Sequence, residues 1–335
     1  MTDDSMLIQT RDIVAIGCSA GGVEALPRIL QQLPGDLEAA VFIVQHMAPS
    51  ASSHLASILG RASKLPVAWA EQGARTERGR VLISPPDVHM LLSDSHVQLT
   101  RGARENHARP SIDKLFRSAA ASYGTRVVGV LLTGMLDDGV AGLRTIQSAG
   151  GASIVQDPMD AAFPELPGRA LQVLTPDRTL PIDAIGGAIA AIVGQYVTAS
   201  TMQSNLALEA AIDRDGPVLR ERLDAIGTQT TMPCPECHGP LWQVGTETDR
   251  RYRCYLGHVA TAGDLLGRSA NEVESALWSA VRALNDRATT LETLASDSRR
   301  IGNGLSAEAY ASRAREARQQ ADVARTFMLD LSRSR

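Results

Sequence analysis

The sequence is poor in lysine and lacks long apolar runs. Lys64 and Lys114 are its only lysines, so arginine supplies most of the 33 basic side chains, and the formal net charge of −4 does not favour a nucleic-acid partner. The first dozen residues have neither the basic start nor the apolar core of a secretory signal. The most apolar run, Ala184 to Val197, is too short to span a membrane and contains Gln195, so it predicts a buried helix. These absences predict a cytoplasmic protein without membrane insertion.

Cysteine is scarce as well: of the four in the chain, one lies alone near the N-terminus and three lie in one C-terminal segment. This distribution indicates a reducing compartment and a metal site rather than a disulfide framework. Cys234, Cys237, Cys254 and His258 have the spacing of a tetrahedral structural zinc site, which leaves no open position for catalysis. The alternatives are a metal-free module with buried thiols, or His238 as the fourth ligand, which its place beside Cys237 disfavours.

A glycine-rich turn follows the first apolar run, Ile13 to Cys18. The spacing Gly17-x-Ser19-x-Gly21 is typical of a nucleophile elbow, in which flanking glycines let the backbone bend and expose the serine hydroxyl. A phosphate-binding turn and a simple helix cap are the alternatives. No lysine follows as in a P-loop and no acidic residue lies at Rossmann spacing, so the phosphate interpretation is the weaker one.

Two more buried strands end in residues that can do chemistry. Ala40 to Val44 runs into His46, and Val127 to Leu132 is followed by Asp137 and Asp138. Functional groups of open α/β sheets gather at the carboxyl ends of strands, so these side chains are expected on the same rim as the elbow serine. A structural histidine and helix-capping aspartates are the alternatives for each residue taken alone.

Ser19, His46 and Asp138 together are the residue types of a catalytic triad. Histidine can take and return the serine proton near neutral pH, and the aspartate fixes the tautomer and stabilises the imidazolium. The chain order Ser, His, Asp differs from that of an ordinary α/β-hydrolase, which would need His107 or a later histidine as the base.

Five motifs make the resemblance to a known family specific. They are GCSAGGVEAL, VQHM, RPSIDKLF, LLTGMLDDGVAG and QDP. Residues 10–195 resemble the catalytic domain of chemotaxis protein-glutamate methylesterase, the CheB family. The resemblance places the hydrolytic triad on Ser19, His46 and Asp138, and leaves Asp137 as a cap or a solvated neighbour.

The resemblance implies hydrolysis of glutamate methyl esters on a methyl-accepting receptor or related signalling protein, with release of methanol, and in some members deamidation of glutamine. Catalysis would need no cofactor. Backbone N–H groups of Ala20 and Met135 would form the oxyanion hole. Many members have a threonine where this chain has Ala20, and the familiar enzymes carry an N-terminal receiver domain, so phosphorylation control in cis is not expected here. The alternatives are a weakly catalytic signalling adaptor that uses the fold to bind partners, or a general small-ester hydrolase.

The predicted fold class is α/β, with a doubly wound, mostly parallel sheet and a hairpin, followed by a small zinc ribbon and a C-terminal helical hairpin. The predicted divisions are an esterase domain (10–198), a connector (199–231), a zinc-ribbon-like module (232–262) and a helical arm (263–335). The arm packs on itself in one interpretation, and dimerises or docks to a helix bundle in another. The polar loop 101–109 is solvated, or else Arg101, Arg104 and Arg109 contact an acidic protein substrate.

Overall fold

The computed structural model describes residues 8–48, 54–93, 95–199, 204–215, 220–245 and 250–333. The chain divides after Ala262 into two compact units. The strands are β1 (Ile8–Thr10), β2 (Ile13–Cys18), β3 (Ala40–Gln45), β4 (Val67–Trp69), β5 (Arg80–Ile83), β6 (His89–Ser93), β7 (His96–Thr100), β8 (Val127–Leu131), β9 (Ala152–Gln156), β10 (Arg178–Leu180), β11 (Tyr196–Thr198), β12 (Gly227–Pro233), β13 (Pro240–Val244), β14 (Arg251–Cys254) and β15 (Val259–Thr261). The helices are α1 (Gly22–Gln32), α2 (Leu55–Ala62), α3 (Ile112–Tyr123), α4 (Val140–Ser148), α5 (Glu165–Val173), α6 (Ile182–Ile192), α7 (Ser204–Asp215), α8 (Arg220–Asp224), α9 (Ala262–Arg300) and α10 (Gly304–Arg333).

A parallel sheet organises the first unit. Within the described residues it has seven strands in the order β10-β9-β8-β2-β3-β5-β4, and β6 and β7 form a separate antiparallel hairpin. Helices cover both faces, which is why the inner strands are continuous apolar runs rather than alternating ones. The predicted doubly wound sheet with a hairpin is confirmed.

Side chains of the central strand β2 alternate between two cores. Val14, Ile16 and Cys18 pack with apolar residues of α1, α2 and α6, whereas Ile13 and Ala15 pack on the other face with α3, α4 and α5. The alternation follows from the two-residue repeat of a strand. It anchors β2 on both sides, so the residue that follows the strand has a fixed place at the sheet edge.

The neighbours of β2 in the sheet are β3 on one side and β8 on the other, and both run parallel to it. The three carboxyl ends therefore meet at one edge of the sheet. Ser19 follows β2, His46 follows β3, and the segment 132–139 that contains Asp138 follows β8. This topology brings the three predicted triad residues to a common rim.

The helix predicted from Ala184 to Val197 is shorter than expected. α6 ends at Ile192, Gly194 has φ +82°, and Tyr196–Thr198 forms β11, which pairs with β1. A left-handed glycine ends a helix readily, and the residues after it are free to pair as a strand. Because the sequence stays apolar through this segment, hydrophobicity alone did not indicate where the helix ends and the strand begins.

The segment predicted as a connector forms α7 and α8 and packs against the esterase fold. In the described part of the region that follows, β12 to β15 make a four-stranded antiparallel sheet, and Trp242 and Val244 share a small core with Ile212 and Leu223. The finer boundaries between connector and module stay a prediction.

The second unit is a helical hairpin, as predicted, and its first helix, α9, begins at Ala262, one residue before the predicted start of the arm. The turn around Gly302 (φ +80°) leads into α10. Small buried side chains such as Ala288 and Ala317 allow the two helices to approach closely, and Arg318 donates to Glu292 across them. Among the described residues, no helix is both long and apolar enough to cross a bilayer.

Candidate active site

Ser19, His46 and Asp138 form a continuous line of hydrogen bonds. The Ser19 hydroxyl lies 3.1 Å from His46 Nδ1, and His46 Nε2 lies 2.7 Å from Asp138 Oδ2. With the Nε2 proton donated to the carboxylate, Nδ1 is the acceptor that faces the serine. The His46 side chain is 22% exposed and that of Asp138 is 2% exposed, so the base borders solvent while the acid is buried.

The start of helix α3 surrounds the Asp138 carboxylate. Five hydrogen bonds reach it from described residues; the donors are His46 Nε2, the Ser111 hydroxyl, the Asn106 side-chain amide, and the backbone N–H groups of Ile112 and Asp113. Burial alone would raise the pKa of Asp138, but the hydrogen bond and charge of His46 and these donors hold its pKa below the ordinary value. A helix N-terminus favours a negative charge in this way. The buried aspartate is therefore ionised and able to orient the imidazole.

Asp137 lies beside this site with a different contact. The N-cap of α4 is Gly139, so Asp137 does not cap that helix. Its carboxylate accepts a hydrogen bond from the Thr261 hydroxyl at 2.9 Å. The expectation of a cap or a solvated neighbour is therefore wrong, because a distant strand, β15, reaches this residue.

The turn that carries Ser19 is held by Gln45, whose amide donates to the carbonyl oxygens of Ser19 and His46. Gly21, with φ +80°, takes a conformation that side chains disfavour. A Cβ on Gly134 would lie 2.8 Å from Ser19 Cβ, so only glycine permits the loop after β8 to approach the serine this closely. Ser19 is thus pre-positioned by backbone geometry.

The predicted oxyanion donors lie near the serine. Ala20 follows Ser19 directly, and Met135 lines the same cavity as Ser19. Among the described residues, neither backbone N–H donates a hydrogen bond within the fold, whereas the neighbouring N–H groups of Ser19 and Gly134 are occupied. Ala20 and Met135 therefore keep donors available for a ligand oxygen.

A cavity of about 330 Å³ opens in front of the triad. One wall is the pocket loop, residues 104–110, and the other contains the half-exposed apolar side chains of Met135 and Leu136. The Arg109 guanidinium donates to Asp87 and to two backbone carbonyls. Of the three arginines predicted as substrate contacts, Arg104 and Arg109 line the cavity.

Buried His89 ties the two ends of the pocket loop together. Its Nε2 donates to the carbonyl of Ala103, and its Nδ1 accepts from the backbone N–H of Ser111. Burial, and next the nearby Lys114 charge, lower the pKa of His89 to about 3, so the ring is neutral and can play both roles.

The four predicted metal ligands come together away from the triad. The ligand atoms of Cys234, Cys237, Cys254 and His258 all lie within 4.8 Å of one another, and this group could hold a metal ion. Cys237 Sγ lies 3.7 Å from Cys254 Sγ, and His258 Nδ1 lies 3.5 Å from Cys254 Sγ. A tetrahedral site with Zn–S bonds near 2.3 Å has edges of about 3.8 Å between sulfurs, so the donors fit. The alternative ligand, His238, is not one of the four.

Sequence reasoning missed three residues that support the triad. Gln45 stands next to His46, and Ser111 is both the N-cap of α3 and a hydrogen-bond donor to Asp138. A motif-level signal existed for Ser111, which lies in the RPSIDKLF stretch. Asn106 carried no signal, because its contacts depend on the path of an irregular loop.

Comparisons with known proteins agree with the fold. Residues 14–189 match the family model for CheB methylesterase. The chain is 40% identical over 178 residues to a protein-glutamate methylesterase/protein-glutamine glutaminase of Anaeromyxobacter dehalogenans, covering 53% of this chain and 52% of that protein. It is 34% identical over 175 residues to a putative protein-glutamate methylesterase/protein-glutamine glutaminase of Leptospira interrogans, covering 52% of this chain and 91% of that protein.

Among solved structures, the catalytic domain of Thermotoga maritima CheB methylesterase superposes with a TM-score of 0.52 at 32% identity, covering 54% of this chain and 98% of that domain. The chain spans about half the length of the relatives from Anaeromyxobacter dehalogenans and Methanosarcina acetivorans. With a matching family model over half its length and a matching solved domain, the chain belongs to the CheB methylesterase family.

Proposed function

We propose that this chain is a serine hydrolase that removes methyl groups from glutamate methyl esters of a receptor or related signalling protein, and that Ser19, His46 and Asp138 are its catalytic triad. The observation that carries the proposal is the line of hydrogen bonds from the Ser19 hydroxyl through His46 to the ionised Asp138. The activities for which its relatives are named, methylesterase and glutaminase, support the same reaction class.

In the first half of the reaction, Ser19 Oγ attacks the ester carbonyl carbon while His46 Nδ1 takes the hydroxyl proton. The carbonyl oxygen becomes an oxyanion, for which we assign the N–H groups of Ala20 and Met135 as donors. The tetrahedral intermediate collapses, the bond to the methoxy group breaks, and His46 returns its proton to give methanol. A glutamyl ester of Ser19 remains.

In the second half, His46 removes a proton from water, and the resulting hydroxide attacks the glutamyl carbonyl. Collapse breaks the bond to Ser19 Oγ, which takes the proton back from His46. The product is the glutamic acid side chain, which releases its remaining proton to solvent as a carboxylate. A glutamine substrate follows the same course with ammonia as the leaving group, because the triad acts on both kinds of acyl carbon.

The test is methanol release from a methylated receptor by the full chain, together with labelling by a serine-directed fluorophosphonate. We expect both signals in the wild type and neither in Ser19→Ala or His46→Ala. Folded wild-type protein that takes no label would show that the chain is not a serine hydrolase and favour the adaptor alternative. Labelling with turnover of small esters but without methanol release would identify a general esterase.

We also propose that the group formed by Cys234, Cys237, Cys254 and His258 holds a structural Zn²⁺. Four protein donors fill a tetrahedral shell, so the metal would supply folding energy to the small sheet rather than chemistry. Metal analysis of the purified chain should give one zinc per molecule, which Cys234→Ser and Cys254→Ser should lose. A wild type purified without bound metal would refute the assignment.

A further inference from the structure

The two segments that carry the proposed metal ligands, one with Cys234 and Cys237 and the other with Cys254 and His258, both contact the pocket loop. Glu236, which lies between the ligands Cys234 and Cys237, has its carboxylate 3.1 Å from His107 Nδ1. Val259, which follows the ligand His258, accepts a hydrogen bond from the Asn106 backbone N–H at 3.0 Å. The segments that carry the metal ligands are thus in hydrogen-bond contact with two adjacent residues of the cavity wall.

Those two residues form a tight turn that is held both from within and from outside. Asn106 and His107 have φ values of +48° and +62°, in the left-handed region that non-glycine residues avoid. Such conformations persist where surrounding contacts hold them. Two backbone hydrogen bonds between Glu105 and Ala108 close the turn from within, and the contacts from Glu236 and Val259 hold it from the elements that carry the metal ligands.

A buried ionic network joins the same elements beneath the loop. Glu105 forms a bidentate pair with Arg117 of α3, with both side chains fully buried. Arg117 also binds Asp213 of α7, and Asp213 binds Arg253, which precedes the ligand Cys254. Removing one member of such a group leaves an uncompensated buried charge, so the members keep their relative positions.

The loop delivers one side chain to the triad. The Asn106 amide donates to Asp138 Oδ1 at 3.2 Å and to Asp113 Oδ2 at 2.9 Å, and it is buried. Its amide oxygen has no hydrogen-bond partner among the described residues. The position of the donor therefore depends on its two acceptors and on the backbone hydrogen bond to Val259.

We infer that Asn106 is a positioning residue for the triad carboxylate and that the C-terminal metal module holds it in place, so that occupancy of the Cys₃His group controls the reactivity of Ser19. The inference rests on the proposed function of Ser19 as nucleophile. The module is thereby part of the esterase site, although none of its residues belongs to the triad.

The first test measures fluorophosphonate labelling of Ser19 in the full, metal-loaded chain, resolved into an inactivation rate and a binding constant. Asn106→Ala and Asn106→Leu should each slow inactivation by about ten- to hundredfold, the range for loss of a hydrogen bond to a charged group, with the binding constant changed less than about twofold. Leucine has nearly the shape of asparagine without its donor. Recovery of the rate in Asn106→Leu would mean that packing alone matters and would overturn the inference. Arg28→Gln, which breaks an exposed ion pair with Asp183, is the control for a substitution outside the site and should label at the wild-type rate.

The second test asks whether the metal acts through Asn106. Removal of the metal by a chelator should slow labelling of the wild type by a similar factor, with recovery when Zn²⁺ is restored, and should slow Asn106→Ala by less than about twofold more. Such non-additivity is the signature of residues that act as a unit. Independent, multiplying effects would overturn the inference.

Hydrogen exchange supplies a readout that does not depend on reactivity. Metal removal should speed exchange of the amides of residues 104–110, while those of the central strand β2 stay protected. Unchanged exchange in the loop would contradict the inference that the metal-ligand segments hold the loop in place. A wild type that takes no label at Ser19 would overturn both this inference and the proposed function, whereas normal labelling that ignores metal and Asn106 would overturn this inference alone.

Discussion

Replacing Asp138 by asparagine tests the triad most directly, because the change keeps the shape and alters only the hydrogen-bonding. Asp138 Oδ2 accepts from His46 and Ile112, and Oδ1 accepts from three further donors. An amide nitrogen at either position would face donors. At Oδ2 it would force the opposite tautomer on His46, whose Nδ1 would then carry the proton and could no longer accept the one from Ser19.

The expected loss in rate is about 10⁴-fold, the size seen when a triad histidine is held in the wrong tautomer. This corresponds to roughly 5.5 kcal/mol of transition-state stabilisation. Each donor left unpaired in the buried site should lower the free energy of unfolding by about 1–3 kcal/mol. The rate is measured as methanol release and as fluorophosphonate labelling of Ser19, and folding by circular dichroism.

The matched control is Asp137→Asn. The adjacent residue accepts a hydrogen bond from the Thr261 hydroxyl, which an amide oxygen can also accept, so its rate should stay within about threefold of wild type. Asp138 would not be the residue that orients His46 if folded Asp138→Asn protein kept more than about a tenth of wild-type activity, or if the Asp138→Asn and Asp137→Asn variants lost the same fraction of activity.

Three further outcomes follow from buried groups. Asp213→Asn breaks a buried network of ion pairs and should lower the free energy of unfolding by about 3–5 kcal/mol in urea titrations. The exposed control Asp183→Asn should lower it by less than about 1 kcal/mol. Similar values for the two variants would show that the network does not stabilise the fold. The pKa of His89 falls from 6.5 in the unfolded chain to about 3 on folding, so between these pH values the unfolded chain binds one proton more than the folded chain. The stability contributed by neutral His89 should therefore be fully present above pH 6.5 and be lost as the pH falls towards 3. The loss is up to roughly 4–5 kcal/mol, and an equal pH dependence in His89→Gln would contradict it. Burial raises the pKa of the Cys18 thiol, so iodoacetamide at pH 8 should spare it in the folded chain and modify Cys234 after metal removal, as read by mass spectrometry.

Much of the fold could be predicted from local patterns. Apolar runs at Ile13 to Cys18, Ala40 to Val44 and Val127 to Leu132 predicted β2, β3 and β8 to within one residue, because strands buried on both faces consist of continuous apolar residues. The boundary error at Ala184–Val197 arose because an apolar run does not record where a helix gives way to an edge strand. That strand is paired with β1, almost two hundred residues away, and so is specified by a long-range contact.

The residue types that carry the proposed chemistry were also readable in advance. A serine between glycines, a histidine after one strand and an aspartate after another are local features, and parallel strands place their carboxyl ends at one edge. The four metal ligands were recognisable for the same reason, since their spacing along the chain reflects two short turns. Sequence spacing alone therefore indicated which groups could meet.

The surroundings of those groups depended on packing between distant segments. The ionised state of Asp138 needs the start of α3, and the position of Asn106 needs Val259, more than 150 residues further along the chain. No periodicity or motif encodes a hydrogen bond between an irregular loop and a strand from another sheet. Short segments of sequence thus indicated which chemical groups form the site. The protonation, orientation and support of those groups depend on burial and long-range contacts that exist only once the chain has folded.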